Sequence, residues 1–134
     1  MGDVFVRVKG IIKREDKYLL VKRWVDDRIP EPFVWEFVDT ELNHGEAPDD
    51  AVLRAIHEML SIHGKIENVE YTWSNLLGDT QCVGIAYICS IQETEEGDIV
   101  LPEEYGEYKW VTRDMFEEYI ENQFLLKDLK DKKL

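Results

Sequence analysis

Three charged residues in the middle of the chain, Glu46, Arg54 and Glu58, have types and spacings that suit phosphate or metal chemistry. Arg54 and Glu58 are four residues apart, so they meet on one side of a helix. Glu46 comes from the loop before this helix and can reach the same place. Carboxylate oxygens are the ligands that Mg²⁺ prefers. On residue types alone two roles stay open: carboxylates that take a cation, or a structural group in which Glu58 pairs with Arg54 and Glu46 accepts backbone N–H bonds.

A loop and an amphipathic helix are expected to position these side chains. Pro48 suits the first helical turn because its missing N–H would have no helical partner there. Asp49 and Asp50 follow, where the positive end of the helix dipole favours carboxylates. Four side chains recur along one stripe of the helix, at Val52, Ile56, Met59 and His63. We expect the helix to end at Gly64, because glycine is a common residue at helix ends.

The stretch from Thr40 to Ile62 resembles the signature box of the Nudix hydrolases, which cleave nucleoside diphosphates linked to another group. In that pattern a glycine and a glutamate precede the run Arg-Glu-apolar-x-Glu-Glu-x-Gly-apolar at fixed spacing. The chain matches it at Glu46, Arg54, Ile56 and Glu58. It departs from it at four positions: Thr40 and Ser61 replace glycines, and Ala55 and Met59 replace glutamates. The spacing of the box is kept, and two of its glutamates and two of its glycines are absent.

The resemblance implies a Mg²⁺ site, or a Mn²⁺ site, on the helix and its loop. It implies Glu46 and Glu58 as the metal ligands, and Glu58 is the one of three helix carboxylates that remains. A glutamate outside the box joins the metal or acts as a base in some members, and Glu104 and Glu107 are the candidates for this role. The implied catalytic residues are therefore Glu58, Glu46, Glu104 and Glu107.

The implied ligand is a phosphorylated small molecule, a nucleotide derivative. Arg23, Arg28 and Arg54 are candidates to hold its phosphates, and Trp35 is a candidate to stack on a base. The alternatives are that these arginines are ordinary surface residues and that the tryptophan belongs to the core.

Composition narrows the class of protein. At 134 residues the chain is predicted to form a single domain over 1–134, with residues 127–134 a frayed charged tail. A net charge of −13 argues against bulk nucleic acid as a partner. No apolar run reaches the roughly 20 residues that span a bilayer, and no secretory signal is present, so we expect a cytoplasmic protein with no membrane partner. Whether it is a monomer or a homodimer is left open.

The remaining pattern predicts strands on both sides of the helix. Residues 3–13 and 18–24 are expected to form a hairpin, and residues 65–77 and 80–91 two strands joined at Gly78-Asp79. A short strand, 107–111, is followed by a helix from Thr112. Cys82 and Cys89 fall on opposite faces of one strand and are expected to be buried thiols. The order predicts an α+β fold, an α/β/α sandwich with a mixed β-sheet between helices, which is also the Nudix fold.

Two functions follow from these observations. The first is a Mg²⁺-dependent hydrolase that cleaves the pyrophosphate bond of a nucleoside-diphosphate-linked small molecule. The alternative is a catalytically silent Nudix-fold domain that binds a nucleotide or metabolite, with a regulatory role. The missing carboxylates favour the second, because the charge they would stabilise is largest in the transition state.

Overall fold

The computed structural model describes residues 3–23, 35–91, 99, 101, 105–120 and 123–131. The strands in this part of the chain are β1 (Val4–Arg14), β2 (Lys17–Arg23), β3 (Trp35–Glu36), β4 (Val38–Glu41), β5 (Gly64–Leu77), β6 (Thr80–Ile91) and β7 (Tyr105–Thr112). The α-helices are α1 (Pro48–Leu60), α2 (Phe116–Tyr119) and α3 (Gln123–Asp131), and a 3₁₀ turn, Arg113–Met115, precedes α2. None of the helices described is long and apolar enough to cross a membrane.

The strands form one mixed sheet in the order β3-β2-β1-β6-β5, with β4 pairing with β1 and β7 with β2. β1 runs parallel to β6, from Val4 opposite Gln81 to Ile12 opposite Cys89. All the other pairs are antiparallel. β1 is therefore the central strand of this order, with β2 and β3 on one side of it and β6 and β5 on the other.

Each face of the sheet carries its own apolar core. On one face the buried side of α1 packs against alternate residues of the strands, among them Val8, Ile12 and Tyr87. On the other face α2 and α3 pack against the residues that alternate with these, such as Ile11 and Ala86. Because successive side chains of a strand point to opposite faces, one sheet supplies both cores. The predicted α+β class, with a mixed sheet between helices, is confirmed.

Several predicted elements agree with the structure. β5 and β6 have nearly the predicted bounds and meet at Gly78, whose φ of 62° is the left-handed conformation that suits glycine in a turn. α1 begins at Pro48, as predicted. Cys82 and Cys89 are free and buried, and only Cys89 belongs to the core beneath α1.

Other predictions are wrong in detail. The predicted hairpin of β1 and β2 has two paired positions, because most of β1 pairs with β4 and β6 instead. α1 ends at Leu60 rather than Gly64, since Ser61 adopts the left-handed conformation with φ 60°. The closing helix is divided into α2 and α3. The frayed tail predicted from Lys127 is helical as far as Asp131, because Leu129 is buried against the sheet.

Candidate active site

A network of hydrogen bonds around Arg54, which we call the loop clasp, fixes the loop before α1. Arg54 donates from Nε to Glu46 Oε2 over 2.9 Å and from Nη2 to Glu46 Oε1 over 3.0 Å. The same Nη2 donates to the backbone carbonyl of Glu41 over 3.2 Å, and the backbone N–H of Asn43 donates to Glu46 Oε1 over 3.2 Å. The loop clasp therefore consists of Glu46, Arg54, the Asn43 amide and the Glu41 carbonyl.

The electrostatics of the loop clasp follow from this geometry. The hydrogen bond from Arg54 lowers the pKa of Glu46 below its usual value, and the bond from the Asn43 amide acts in the same direction. Glu46 in turn raises the pKa of Arg54. The Arg54 side chain is 26% exposed and the Glu46 side chain 17%. Both carboxylate oxygens of Glu46 accept hydrogen bonds from within the protein. Glu46, predicted as a metal ligand and catalytic residue, fixes its own loop in the structure by accepting hydrogen bonds from Arg54 and Asn43.

Glu58 is placed differently, on the open surface of α1. Its Oε2 lies 3.4 Å from Arg54 Nη1, a weaker ion pair than the one to Glu46. The Glu58 side chain is 61% exposed. An exposed pair of this kind contributes little to stability, because water screens both charges. Glu58 is the carboxylate of the box that stays available to a ligand from solution.

Ala55 and Met59 are part of the core. They are 2% and 7% exposed and pack in the apolar cluster between α1 and the sheet. Glutamates at these two positions would bring carboxylates into contact with that cluster, at a cost in desolvation. Ala55 and Met59 are thus side chains that fit this core.

The remaining predicted residues do not gather beside the box in the part of the chain described. Glu107 is exposed on β7, in register with Lys22 of β2. Glu104 and Arg28 lie outside the described residues. Arg23 ends β2, and its side chain is not described. Arg54, predicted to bind substrate, is engaged in the loop clasp.

Trp35 has a role in packing. Its ring is half-buried and meets Tyr119 of α2 edge to face, with ring centroids 5.9 Å apart. The ammonium of Lys22 lies 5.7 Å from the Trp35 ring centroid, and that of Lys109 lies 4.7 Å from the Tyr119 ring. These contacts join β2, β3 and β7 to α2, and the stacking of Trp35 on a base stays a prediction.

A group of polar and aromatic side chains lies on the face of the sheet opposite α1, and we call it the sheet patch. It consists of Arg7, Lys9, Asp39 and Trp73. Arg7 Nε donates to Asp39 Oδ1 over 2.9 Å, with the two side chains 34% and 19% exposed. Lys9 Nζ lies 4.6 Å from the Trp73 ring centroid. The patch therefore combines cations, a carboxylate and an aromatic ring in one place.

Glycine shapes the sheet patch. The ring of Trp73 lies directly over Gly84 of the neighbouring strand, where a Cβ atom would come within 2.0 Å of it. Only glycine lets the ring lie so close to the sheet. The sequence alone did not bring these four residues together. The signal available was the alternation of Arg7 and Lys9 with the valines of β1.

β4 connects the sheet patch to the loop clasp. The side chain of Asp39 belongs to the patch, and two residues further along β4 the carbonyl of Glu41 accepts a hydrogen bond from Arg54. Glu41 is in turn in register with Arg7 on β1. A second link holds the first turn of α1 on its own face of the sheet, where the buried Tyr87 donates from its hydroxyl to Asp49 Oδ1 over 2.8 Å.

The described residues do not fit a Mg²⁺ cluster of several carboxylates. Among them no three His, Cys, Asp or Glu side chains come together in a way that could hold a metal ion. Glu46 is bonded to Arg54 through both oxygens, and Glu58 is the exposed one of the two glutamates that match the family pattern. Of these two glutamates, Glu58 is the one that offers a cation a solvated carboxylate.

Comparison with known proteins gives a consistent result for the family and the fold. The model of the NUDIX domain matches residues 5–129. The structure is similar to a MutT protein from Methanosarcina mazei, with a TM-score of 0.82 and 17% identity over 98% of this chain and 94% of that one. It is also similar to a NUDIX hydrolase from Nitrosomonas europaea, with a TM-score of 0.77 and 16% identity over 96% and 88% of the two chains. No curated protein sequence matches the chain.

Proposed function

The chain belongs to the Nudix hydrolase family, and we propose that it binds a phosphorylated small molecule of the nucleoside-diphosphate class with little or no hydrolysis of it. The observation that carries this proposal is the burial of Ala55 and Met59 in the core, at 2% and 7% exposure. The box thereby keeps the residues that shape its loop and lacks two of the three carboxylates that the family pattern places on the helix.

The chemistry of phosphoanhydride cleavage explains why this loss matters. Nudix proteins generally use a divalent cation such as Mg²⁺, which offsets phosphate charge and generates or orients a water nucleophile. Carboxylates that hold such a cation act mainly on the charge of the transition state, so their loss lowers turnover more than ligand binding. A chain with one of the three helix glutamates of the family pattern is therefore expected to bind better than it reacts.

The sheet patch is the surface that we propose for the ligand. An arginine guanidinium has five N–H donors, and the bond from Arg7 to Asp39 uses the one on Nε. The remaining donors suit a phosphate, which arginine binds through paired hydrogen bonds. Trp73 offers an aromatic ring for a base, and Asp39 offers an acceptor for N–H groups on it. With a net charge of −13, the protein needs such local cations to attract an anion.

A second candidate function is Mg²⁺-dependent hydrolysis of the same class of ligand. The exposure of Glu58, at 61%, favours it, because a solvated carboxylate on the box helix can take a cation from solution. Both candidates involve the same ligand and differ in whether a reaction follows binding. The cytoplasmic location, the single domain and the oligomeric state stay predictions.

Calorimetry and product analysis separate the two candidates. A panel of nucleoside diphosphates and their sugar derivatives is titrated into the protein with and without Mg²⁺ or Mn²⁺, and nucleoside monophosphate release is followed by chromatography. We expect binding by at least one compound and no release above the protein-free background. Release that is lost in Glu58→Gln and kept in Asp50→Asn, an exposed acid on the same helix, would establish the hydrolase instead.

Variants of the sheet patch test the location. Arg7→Gln is expected to weaken binding by roughly tenfold or more, since a hydrogen bond to a charged group is worth about 1.5–3 kcal/mol. Arg113→Gln, which removes an exposed arginine on the turn before α2, is the matched control and leaves affinity unchanged. Equal affinity in Arg7→Gln would remove the sheet patch from the proposal, and no binding by any compound of the panel would contradict the proposal itself.

A further inference from the structure

Two histidines meet at the end of α1. His57 lies in the last turn of the helix and His63 just before β5. Their rings are stacked, with centroids 4.8 Å apart and planes 17° from parallel. Both side chains are exposed. The turn between them is tight, because Ser61 takes a left-handed conformation and its N–H donates to the carbonyl of His57 over 2.9 Å.

Paired imidazoles are ligands for transition metals rather than for Mg²⁺. Neutral imidazole nitrogen suits Zn²⁺, Cu²⁺ and Ni²⁺, whereas Mg²⁺ prefers oxygen. A cation bound to two imidazole nitrogens at about 2.0–2.1 Å keeps those nitrogens within about 4 Å of each other. Ring centroids 4.8 Å apart leave the two imidazoles near enough for one nitrogen of each to reach a common cation once the rings turn. Because both side chains are exposed, the rings can turn their in-plane nitrogens toward one point without opening a cavity in the core.

The charges around the pair also suit a cation. The C-terminus of a helix carries the negative end of the helix dipole, which favours positive charge in the last turn. The whole chain has a net charge of −13. The nearby Arg54 is bonded to Glu46 and pairs with Glu58, so acidic partners offset its positive charge.

The geometry points to a binding site for a divalent transition-metal cation, formed by His57 and His63, with water completing the coordination. The bound cation joins the last turn of α1 to the start of β5. Among the described residues no third His, Cys, Asp or Glu is placed to complete the set, so the site is a two-histidine site. It is separate from the Mg²⁺ chemistry of the box and does not rest on the proposed function.

The test is a titration of Zn²⁺ into protein that carries no histidine tag, followed by calorimetry. We expect one equivalent to bind, and His57→Gln or His63→Gln to lower the affinity by at least about tenfold, since the loss of a residue that only orients a metal ligand already costs 10–100-fold. His44→Gln is the matched control, because His44 is the third histidine of the chain and lies exposed in the loop before α1. It is expected to bind Zn²⁺ as the unaltered protein does.

Two further measurements define the ligands. In proton NMR spectra, Zn²⁺ is expected to shift the imidazole signals of His57 and His63 and leave those of His44 in place, whereas an excess of Mg²⁺ shifts none of them. Circular dichroism verifies that each variant is folded. The proposal is overturned if no Zn²⁺ binds, if affinity is kept when both histidines are replaced, or if His44→Gln loses affinity to the same extent.

Discussion

The loop clasp and the sheet-facing side of α1 both fall within the Nudix box, yet they have kept different parts of it. In the loop clasp, Glu46 and Arg54 retain the residue types of the box and are joined by two hydrogen bonds of 2.9 and 3.0 Å. On the sheet-facing side, Ala55 and Met59 replace the carboxylates of the box and pack in the core. One helix thus carries a part that matches the family pattern and a part that departs from it.

From this difference we expect the box to combine two separable functions. The loop clasp connects the loop to α1 through bonds within the protein, so it contributes to the fold whether or not a ligand is present. In the family pattern the carboxylates of the helix bind a cation. Where no cation is bound, apolar side chains can fill these positions and enlarge the core. A chain that keeps the first set and lacks the second is expected to keep the architecture and to lose cation-dependent chemistry.

The largest effect is expected from returning both carboxylates to the helix, in Ala55→Glu/Met59→Glu. Uncompensated charges in the core cost about 3–5 kcal/mol, so urea denaturation should show a fall of this size in the free energy of unfolding. His57→Gln, at an exposed position of the same helix, should change it by less than about 0.5 kcal/mol. A double variant as stable as the unaltered protein would show that the sheet-facing side of α1 tolerates carboxylates as its exposed side does. A gain in Mg²⁺ affinity in that variant would show that the metal site of the box can be restored.

The next effect is expected from breaking the loop clasp with Arg54→Met. The pKa of Glu46 is lowered in the folded protein from its ordinary value of 4.5, chiefly by the hydrogen bond from Arg54. A lowered pKa gives stability that is present above pH 4.5 and is lost as the pH falls through the lower, folded value. Arg54→Met should therefore be less stable at neutral pH and should lose less stability on acidification, as measured by denaturation from pH 7 to pH 3.

An exposed ion pair gives the control for the loop clasp. Lys130 Nζ lies 2.7 Å from Glu117 Oε1, and the side chains are each 67% exposed. Lys130 also lowers the pKa of Glu117. Because water screens this pair, Lys130→Met should cost less stability than Arg54→Met at neutral pH. Equal losses in the two variants would mean that the loop clasp is no more than a surface ion pair.

The sequence predicted those parts of the molecule that depend on local patterns. The first residue of α1 followed from Pro48 and the acidic residues after it, and β5 and β6 followed from apolar stretches separated by Gly78. These signals lie within a few residues of the element they define. The box was recognised for the same reason, because its spacing is a property of one loop and one helix.

The parts that were not predicted depend on contacts between distant residues. The sheet patch exists because β1 pairs with β4 and β6, which brings Arg7 to Asp39 across 32 positions of the sequence. The bond between Tyr87 and Asp49 spans 38 positions. The bonds from Arg54 to Glu46 join α1 to the loop before it, and the metal role of Glu46, which the family resemblance implies, stays a prediction. The register of the strands and the rotation of α1 decide these contacts, and neither is a local property.

A smaller effect is expected from Tyr87→Phe, which removes the link from the sheet to the first turn of α1. One hydrogen bond contributes about 0.5–1.5 kcal/mol, so the free energy of unfolding should fall by about 1 kcal/mol. Tyr108→Phe is the control, because Tyr108 is 40% exposed and should leave stability unchanged. No loss in Tyr87→Phe would mean that the loop clasp alone fixes this end of α1.

The same variant has a signature at alkaline pH. Burial, and then the bond to Asp49, raise the pKa of Tyr87 from 10.0 to about 12. A raised pKa gives stability that is present below pH 10 and is lost as the pH rises toward 12. Tyr87→Phe should lose less stability than the unaltered protein in this range. The thiol of Cys89, whose pKa burial also raises to about 12, is present in both proteins and does not affect their difference.

The smallest effect, and the one of opposite sign, is expected from Ser61→Gly at the end of α1. Ser61 stands where the box has glycine, and its φ of 60° is the left-handed conformation that costs a residue with a Cβ roughly 1–2 kcal/mol. Glycine removes this strain, but it also raises the conformational entropy of the unfolded chain, which cancels part of the gain in stability. The net increase in the free energy of unfolding should be about 0.5–1 kcal/mol, measured by urea denaturation. Ser61→Ala keeps the Cβ and should show no increase. If glycine gives none either, the departure from the family pattern at this position is neutral for stability, and the contrast between the two regions of the box is confined to the carboxylate positions.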